Sequence, residues 1–231
     1  MERLGRLPLL HQPGERWLYH TGSDILGVLV ARASGQTLET FFRERLFGPL
    51  GMKDTGFHVP AEKMDRLPPT YWADPETGAL TVHDDPADSR WGRPPAFPSG
   101  GGGLVSTVDD YLAFCRMMLN KGRHGRERIL SRPSVALMTS DQLTPAQKAG
   151  SEIFFGDSSS WGFGLAVQTR RDDLAASPGR FGWAGGMGTV GYSDPEEDMV
   201  GILMTQRLMV SPAPPRVFLD FWTSAYAAID D

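Results

Sequence analysis

The sequence has few of the residues that build disulfide-linked, metal-binding or nucleic-acid-binding proteins. Its one cysteine, Cys115, lies in an apolar pattern with helical spacing, which favours a core residue over a nucleophile or half of a disulfide. Its five histidines show no spacing typical of zinc ligands, so we predict no metal site and no cofactor. The formal net charge of −5 argues against nucleic acid as a partner.

Long hydrophobic runs are also absent. No stretch has the length and apolarity of a membrane span, so we predict no membrane partner. No signal peptide is recognisable and we predict a cytoplasmic location, although a signal in an upstream segment would be missing from this sequence. The one basic run, Arg123–Arg128, contains Gly125 and Glu127 and is predicted to be a solvated loop. The remaining composition, with 40% hydrophobic and 22% charged residues in 231, is that of a globular protein with one sizeable core.

Patterns with helical spacing dominate the first part of the chain. Between the second and third predicted helices, Val59–Pro98 is rich in proline, aspartate and arginine and shows little periodicity. We predict that it is a long loop forming one wall of a functional site. Capping residues mark where the helices begin, and glycine or proline marks where they end. The predicted helices run from Asp24 to Ser34, with Thr21 or Ser23 as the cap, and from Leu38 to Phe47, ended by Gly48-Pro49. Two more run from the Thr107 cap to Asn120 and from Ser131 to Met138.

The most informative stretch covers residues 181–207, FGWAGGMGTVGYSDPEEDMVGILMTQR. It predicts an antiparallel hairpin, in which strand Gly188–Ser193 leads through the polar turn Asp194–Asp198 into strand Met199–Thr205. The apolar run of the second strand predicts burial on both faces in the middle of a sheet. Four glycines before and at the start of the hairpin leave little side-chain bulk, which fits either a glycine-kinked edge strand or a strand whose N–H groups face a substrate.

The chain closes with another strand and a helix. Trp161–Thr169 alternates like a strand, after a stretch without periodicity at Thr139–Ser160. The last helix follows a proline-rich segment and is expected to pack across the sheet. Helices followed by antiparallel strands and a closing helix predict an α+β fold, with a mainly helical and loop part over 24–160 and the sheet with its helix over 161–231. The apolar side of the last helix consists of Val217, Phe218, Phe221, Trp222 and Ala225.

Several segments together resemble the serine β-lactamase and penicillin-binding-protein superfamily, and specifically its class C-like esterase branch. They are PGERWLYHTGSDILGVLVARASGQTLETFFRERLFGPLGMKDTGF, GGGGLVSTVDDYLAFCRMMLN, WGFGLAV and FGWAGGMGTVGYSDPEEDMVGILMTQ, in the order and spacing of the family. The resemblance implies one β-lactamase/transpeptidase-like domain over 1–231, with an antiparallel sheet flanked by helices and a helical subdomain.

The resemblance also implies a set of site residues. The family's tyrosine motif, Y-x-N or a variant, matches Tyr19-His20-Thr21, and its strand motif, K-T-G or a variant, matches Trp183-Ala184-Gly185. Tyr19 would take part in proton transfer, and the N–H of Gly186 would belong to the oxyanion hole. The residues expected to contact the substrate are Thr21, Trp183, Ala184 and Gly185.

The family's third motif, S-x-x-K, which carries the nucleophilic serine, is missing. None of the four lysines, Lys53, Lys63, Lys121 and Lys148, has a serine three positions before it. We therefore expect that the front third of the family fold is not in this chain, and that Met1 is an internal methionine of a longer gene or the start of a truncated reading frame. An unactivated serine is a weak nucleophile, so this chain alone is predicted to show little or no hydrolysis.

Several functions compete. The strand motif offers neither a positive charge nor a hydroxyl at Trp183 and Ala184, and Thr21 replaces the usual asparagine. These changes favour a carboxylesterase that acts on small neutral esters or lactones through an acyl-enzyme over a β-lactamase or penicillin-binding protein. Two non-catalytic functions stay open. One is an inactive truncated module that binds ligands and covers its exposed core by forming a homo-oligomer, and the second is a penicillin-sensing or peptidoglycan-binding protein.

Overall fold

A computed structural model describes residues 4–172 and 176–230. Met1, on which the expectation of an upstream segment partly rests, lies outside the described residues. The helices are α1 Thr21–Ser34, α2 Leu38–Phe42, α3 Gly48–Leu50, α4 Val108–Leu119, α5 Arg132–Met138, α6 Pro145–Lys148, α7 Glu152–Phe155 and α8 Arg216–Ala227. The strands are β1 Thr70–Ala73, β2 Leu80–Asp84, β3 Arg123–His124, β4 Glu127–Arg128, β5 Ser159–Trp161, β6 Ala166–Gln168, β7 Phe181–Gly185, β8 Thr189–Asp194 and β9 Met199–Met204.

One antiparallel sheet organises the second half of the molecule. Its strand order is β5-β6-β7-β8-β9, so each strand pairs with its neighbour in sequence. The predicted hairpin is confirmed, because β8 pairs with β9 from Thr189 opposite Met204 to Asp194 opposite Met199. Helices on both sides of this sheet confirm the predicted α+β fold.

The two faces of the sheet are covered by different helices. A side chain at Gly191 would meet the Tyr111 ring of α4, and one at Gly201 would overlap the Trp222 ring of α8. Glycine at these two positions therefore lets a helix approach the strands closely. Gly191 pairs with Trp183, and paired residues of neighbouring strands share a face, so Trp183 lies on the α4 face and α8 covers the opposite one. The prediction that the last helix crosses the sheet is confirmed.

The position of β9 in the sheet corrects a prediction. Its apolar run predicted a strand in the middle of the sheet, but among the described residues it pairs only with β8 and forms an edge. The apolar run reflects the two helices that pack on its faces. A hydrophobic pattern reports which faces of a strand are covered and carries no information on whether both edges are paired.

The boundaries of the first two helices also differ from those predicted. Helix α1 begins at Thr21, and its N-cap is His20, without a side-chain hydrogen bond, so neither Thr21 nor Ser23 is the cap. The second predicted helix does not stop at Gly48-Pro49. It continues through a wider π-helical turn and α3 to Leu50, and ends where Gly51 adopts a left-handed conformation (φ +70°).

Three predicted strand or loop segments differ from the structure, two by having more regular structure than expected and one by having less. Val59–Pro98 contains the hairpin β1–β2, in which β2 is largely exposed and the four-residue β1 is mostly half-buried, so neither strand has the apolar alternation that predicts strands. Arg123–Arg128 forms the two-residue pair β3–β4 instead of a loop. Trp161–Thr169 is the end of β5, a turn and β6, because Gly162 packs against the Met138 carbonyl and Gly164 has a positive φ of +84°.

The hydrophobic core lies between α4, α5 and the strands on the α4 face. Helices α4 and α5 begin as predicted, with Thr107 and Ser131 as side-chain caps. Cys115 is 4% exposed, and burial raises the pKa of its thiol to about 11, which confirms a core residue. No helix in the described ranges is long and apolar enough to cross a membrane. The central core cluster comprises Phe47, Leu50, Met52, Met117, Met118, Val135, Val167 and Phe181.

Candidate active site

The structure brings the tyrosine motif and the strand motif together. Trp183 lies in the middle of β7, and Tyr19 lies two residues before α1. The Trp183 Nε1–H donates a hydrogen bond of 2.8 Å to the Tyr19 Oη, and the two ring centroids are 5.5 Å apart. Because an indole N–H only donates, the Tyr19 oxygen is the acceptor and keeps its own proton and a second lone pair for another partner. The hydrogen bond thus fixes where the phenol oxygen lies.

The edge of β7 beyond Trp183 is open on the side away from β8. Strand β6 pairs with β7 only at Phe181 and Gly182, and no other described strand continues along this edge. Gly186 follows directly after β7. Its carbonyl accepts from the Met209 N–H at 2.9 Å, whereas no described residue accepts from its own N–H. A side chain at Gly186 would meet nothing within 4 Å, so the space beside this N–H is open.

The remaining motif residues occupy the same strand and the start of α1. Ala184 pairs with Val190, and Gly185 pairs with Thr189, whose Oγ1 would lie 2.6 Å from a Cβ at Gly185. Thr21 is the exposed first residue of α1, and its hydroxyl makes no hydrogen bond within the described part of the chain. The structure therefore joins Tyr19, Trp183 and the strand that leads to Gly186, whereas no hydrogen bond connects the Thr21 hydroxyl to them within the described residues. The roles assigned to these residues stay predictions.

The glycine-rich segment before α4 packs against the start of α1. The Asp24 Oδ1 accepts hydrogen bonds from the Ser99 Oγ at 2.6 Å and from the Gly101 N–H at 3.2 Å. A side chain at Gly100 would overlap the Ser23 carbonyl, and one at Gly101 would come within 3.1 Å of the His20 Nδ1. The sequence predicted that the four glycines form a tight turn into α4. It did not predict that this turn packs against α1, although the lack of side chains at the glycines is what allows the close approach.

Further aromatic rings surround the Tyr19–Trp183 pair. The Tyr19 ring centroid lies 5.7 Å from Trp17, 5.3 Å from Phe154 and 6.2 Å from Trp161. Trp161 also meets Trp183 edge-on at 4.7 Å. We call this group, with Phe155 beneath Trp17, the aromatic cluster. Phe154 and Phe155 come from a stretch without periodicity, so sequence reasoning missed them.

The unexpected hairpin β1–β2 is connected to the site through the segment after β9. The Tyr71 N–H donates to the Gln206 carbonyl at 2.7 Å, and the Tyr71 carbonyl accepts from the Leu208 N–H at 2.9 Å. The next residue, Met209, donates to the carbonyl of Gly186. The segment Val59–Pro98 thus supports the strand end that carries Gly186, while its role as a cleft wall stays a prediction.

Comparison with known proteins gives consistent results. The Beta-lactamase family model matches residues 1–216. Protein Rv1367c of Mycobacterium tuberculosis is 39% identical over 214 residues, 88% of this chain and 52% of that protein. Esterase EstB of Burkholderia gladioli is 35% identical over 127 residues, 48% of this chain and 31% of that protein. The solved structure of EstCE1, a hydrolase with promiscuous acyltransferase activity, has a TM-score of 0.80 at 24% identity, over 96% of this chain and 59% of its own.

These similarities confirm the resemblance to β-lactamase-type serine hydrolases. The likeness to EstCE1 extends over almost the whole chain and shows a common fold. The chain spans about half the length of Rv1367c, a curated relative that it matches. Because the family model covers nearly all of the sequence, the chain belongs to the Beta-lactamase family.

Proposed function

We propose that this chain carries the tyrosine and strand half of an active site that cleaves neutral esters or lactones. The observation that carries the proposal is the hydrogen bond from Trp183 to Tyr19. It connects the phenol oxygen to the strand that leads to Gly186, and the residue that makes the connection is an uncharged indole. A substrate carboxylate finds no counter-charge in that indole, whereas a neutral ester needs none.

The chemistry follows the usual course of acyl transfer. A serine oxygen bonds to the ester carbonyl carbon, and the bond from that carbon to the alcohol oxygen breaks. The serine proton passes through the Tyr19 oxygen to the departing alcohol. The Gly186 N–H donates to the carbonyl oxygen while it is negatively charged, and such a donor stabilises the transition state by about 2.7–4 kcal/mol. Water then attacks the acyl-serine, releasing the acid and restoring the serine.

We infer that the nucleophile is not among the serines of this sequence. No serine in this sequence has a lysine three positions later that would help to deprotonate it. We therefore assign the serine to an upstream S-x-x-K segment. The similarity to EstB, an esterase, supports ester over lactam as the substrate class.

The test compares this chain with a form extended upstream to include an S-x-x-K segment. We expect p-nitrophenyl acetate hydrolysis only in the extended form. In that form Tyr19→Phe should lower kcat about 100-fold or more, because it removes the proton-transfer group. The measurement is steady-state kinetics, with circular dichroism to confirm folding and Val217→Ala on the opposite face of the sheet as the control.

Two results would contradict the proposal. One is stoichiometric labelling of a serine in the unextended chain by a phosphonate, which would reveal a different nucleophile. The other is an extended Tyr19→Phe variant that is folded and as active as its parent.

A further inference from the structure

We infer that the aromatic cluster is a binding subsite for an uncharged aryl group of the substrate. This inference deepens the proposed function and rests on it for the catalytic role of Tyr19. The rings of the cluster differ in their exposure to solvent. Phe155, at the base, is 4% exposed, whereas Tyr19, at the top, is 40% exposed. Trp161 and Trp183 are half-buried. The cluster therefore has a packed base and an open aromatic surface at the phenol oxygen.

The ring orientations suit an aromatic ligand. Trp17 stacks on Tyr19 with an interplanar angle of 25°, whereas Trp161 stands at 87° to Trp183. Phe154 lies between these extremes, at 42° to Tyr19. The rings therefore differ in orientation, so an aryl group placed against them could adopt offset-stacked or edge-to-face geometry with different members. An aliphatic group of similar size would gain only the burial of apolar area.

Apart from the His20 ring, whose centroid lies 4.9 Å from that of Tyr19, the polar groups described at the cluster are already engaged and offer little to an anionic ligand. The Trp183 Nε1–H is already donated to Tyr19. The cation nearest in sequence, Arg16, donates through its Nη1 to the carbonyls of Ala146 and Ala149 at 2.9 and 3.1 Å. A carboxylate that reached the rings would lose hydration against an apolar surface, which is costly without an ionic partner. A neutral aryl ester or ketone would not incur this cost.

Binding is measured on this chain without any hydrolysis. The probes are 4-fluoroacetophenone, 4-fluorobenzoate and 5-fluoro-2-pentanone, observed by ¹⁹F line broadening during titration. We expect saturable binding of the aryl ketone, with the carboxylate and the aliphatic ketone each at least fivefold weaker. Phe154→Ala and Trp161→Ala should weaken aryl ketone binding about three- to tenfold, the range for lost aromatic pairs.

The control variant is Val217→Ala, an exposed apolar truncation on the opposite face, which should leave binding within twofold. Thermal unfolding identifies variants that have lost their fold. Should Phe154→Ala unfold, the milder Phe154→Leu replaces it and is still expected to weaken aryl ketone binding. Equal binding of the aryl and aliphatic ketones, or unchanged aryl binding in folded Phe154 and Trp161 variants, would overturn the inference.

Ester hydrolysis by the extended form separates this inference from the proposed function. We expect kcat/KM for methyl phenylacetate to exceed that for methyl butyrate, and Phe154→Ala to reduce the ratio. A ratio near one that Phe154→Ala leaves unchanged would refute the aryl subsite while leaving the esterase proposal intact. Aryl ketone binding without hydrolysis of any ester would refute the esterase proposal and support the subsite.

Discussion

The sheet has an aromatic cluster on each face, and the two clusters differ in exposure and charge. On the α8 face the Arg180 guanidinium lies 3.9 Å from the Trp222 ring centroid and 4.4 Å from that of Tyr192, and Arg180 is 5% exposed. We call this group, with Tyr226, the Arg180 cluster. On the other face, the aromatic cluster around Tyr19 contains no stacked guanidinium among its described contacts and opens to solvent.

The difference shows that aromatic content alone does not mark a binding site. In the Arg180 cluster the rings surround a buried cation, and the Tyr226 hydroxyl donates to the Asp194 carboxylate at 2.6 Å. Arg180 Nε and Trp222 Nε1 are buried without a hydrogen-bond partner among the described residues, so the stacked rings are the main contacts of the guanidinium. Because these rings belong to β8 and α8, the cluster holds α8 on the sheet.

In the aromatic cluster, the rings other than Phe155 are partly exposed, and Trp183 is the one hydrogen-bond partner of the Tyr19 oxygen within the described residues. The exposed ring surface and the unused hydrogen-bonding positions of the Tyr19 oxygen are therefore open to a ligand.

The largest change in the free energy of unfolding is expected from a substitution in the Arg180 cluster. Trp222→Ala should lower the free energy of unfolding by about 3–5 kcal/mol, as for other buried tryptophans, because Trp222 is 3% exposed and fills the space above Gly201. Phe154→Ala in the aromatic cluster should lower it by only about 1 kcal/mol. Chemical denaturation measures both. Equal losses would show that the two clusters have the same structural role.

Two glycines near the site allow a similar comparison at smaller scale. Gly188 has a φ of +85°, and a Cβ there would overlap the Arg207 carbonyl, so Gly188→Ala should destabilise the fold by about 2 kcal/mol or more. Gly186→Ala meets open space and should cost less than about 1 kcal/mol. Urea denaturation of the two variants gives the comparison. A Gly186→Ala loss equal to that of Gly188→Ala would show that Gly186 has a structural role.

The smallest expected effect concerns pH. Burial raises the pKa of Tyr192, and burial together with the Asp194 hydrogen bond raises that of Tyr226, while the Cys115 thiol has a pKa of about 11 against its ordinary 9.0. All three groups release protons more readily in the unfolded chain, so stability is full below about pH 9 and falls as the pH rises. For Cys115 alone the loss at pH 10 is about 1 kcal/mol.

Denaturation at pH 8 and pH 10 measures this loss. Cys115→Ala and Tyr226→Phe should each make the fall smaller, because each removes one group that ionises on unfolding. A free energy of unfolding that rises between these pH values would contradict the assignment. Tyr19→Phe, which changes an exposed residue of the other cluster, serves as the matched tyrosine control.

The sequence predicted those parts whose signals are local. The β8–β9 hairpin, α4, α5 and α8 follow from periodicity and from caps such as Thr107, which bonds within its own first turn. The pairing of Tyr19 with Trp183 was expected from the family motifs. In contrast, Phe154 and Trp161 reach the site through tertiary packing that no local pattern encodes. The hairpin β1–β2 was not predicted because β2 is largely exposed and β1 is only four residues long. Local sequence patterns predict single helices and strands, whereas a site built from several elements depends on their tertiary packing.

The edge position of β9 bears on how copies of this chain associate. Its outer row of backbone N–H and C=O groups is unpaired within the described residues, and its sequence, MVGILM, has no charge and no proline to discourage another strand. Proteins usually block such edges, because a free edge is a template for a strand from a second molecule. We therefore predict that a strand from outside the described residues extends the sheet at β9, supplied either by the upstream part of the family fold or by a second copy of this chain. Only in the second case would the homo-oligomer predicted from the sequence be a product of sheet extension.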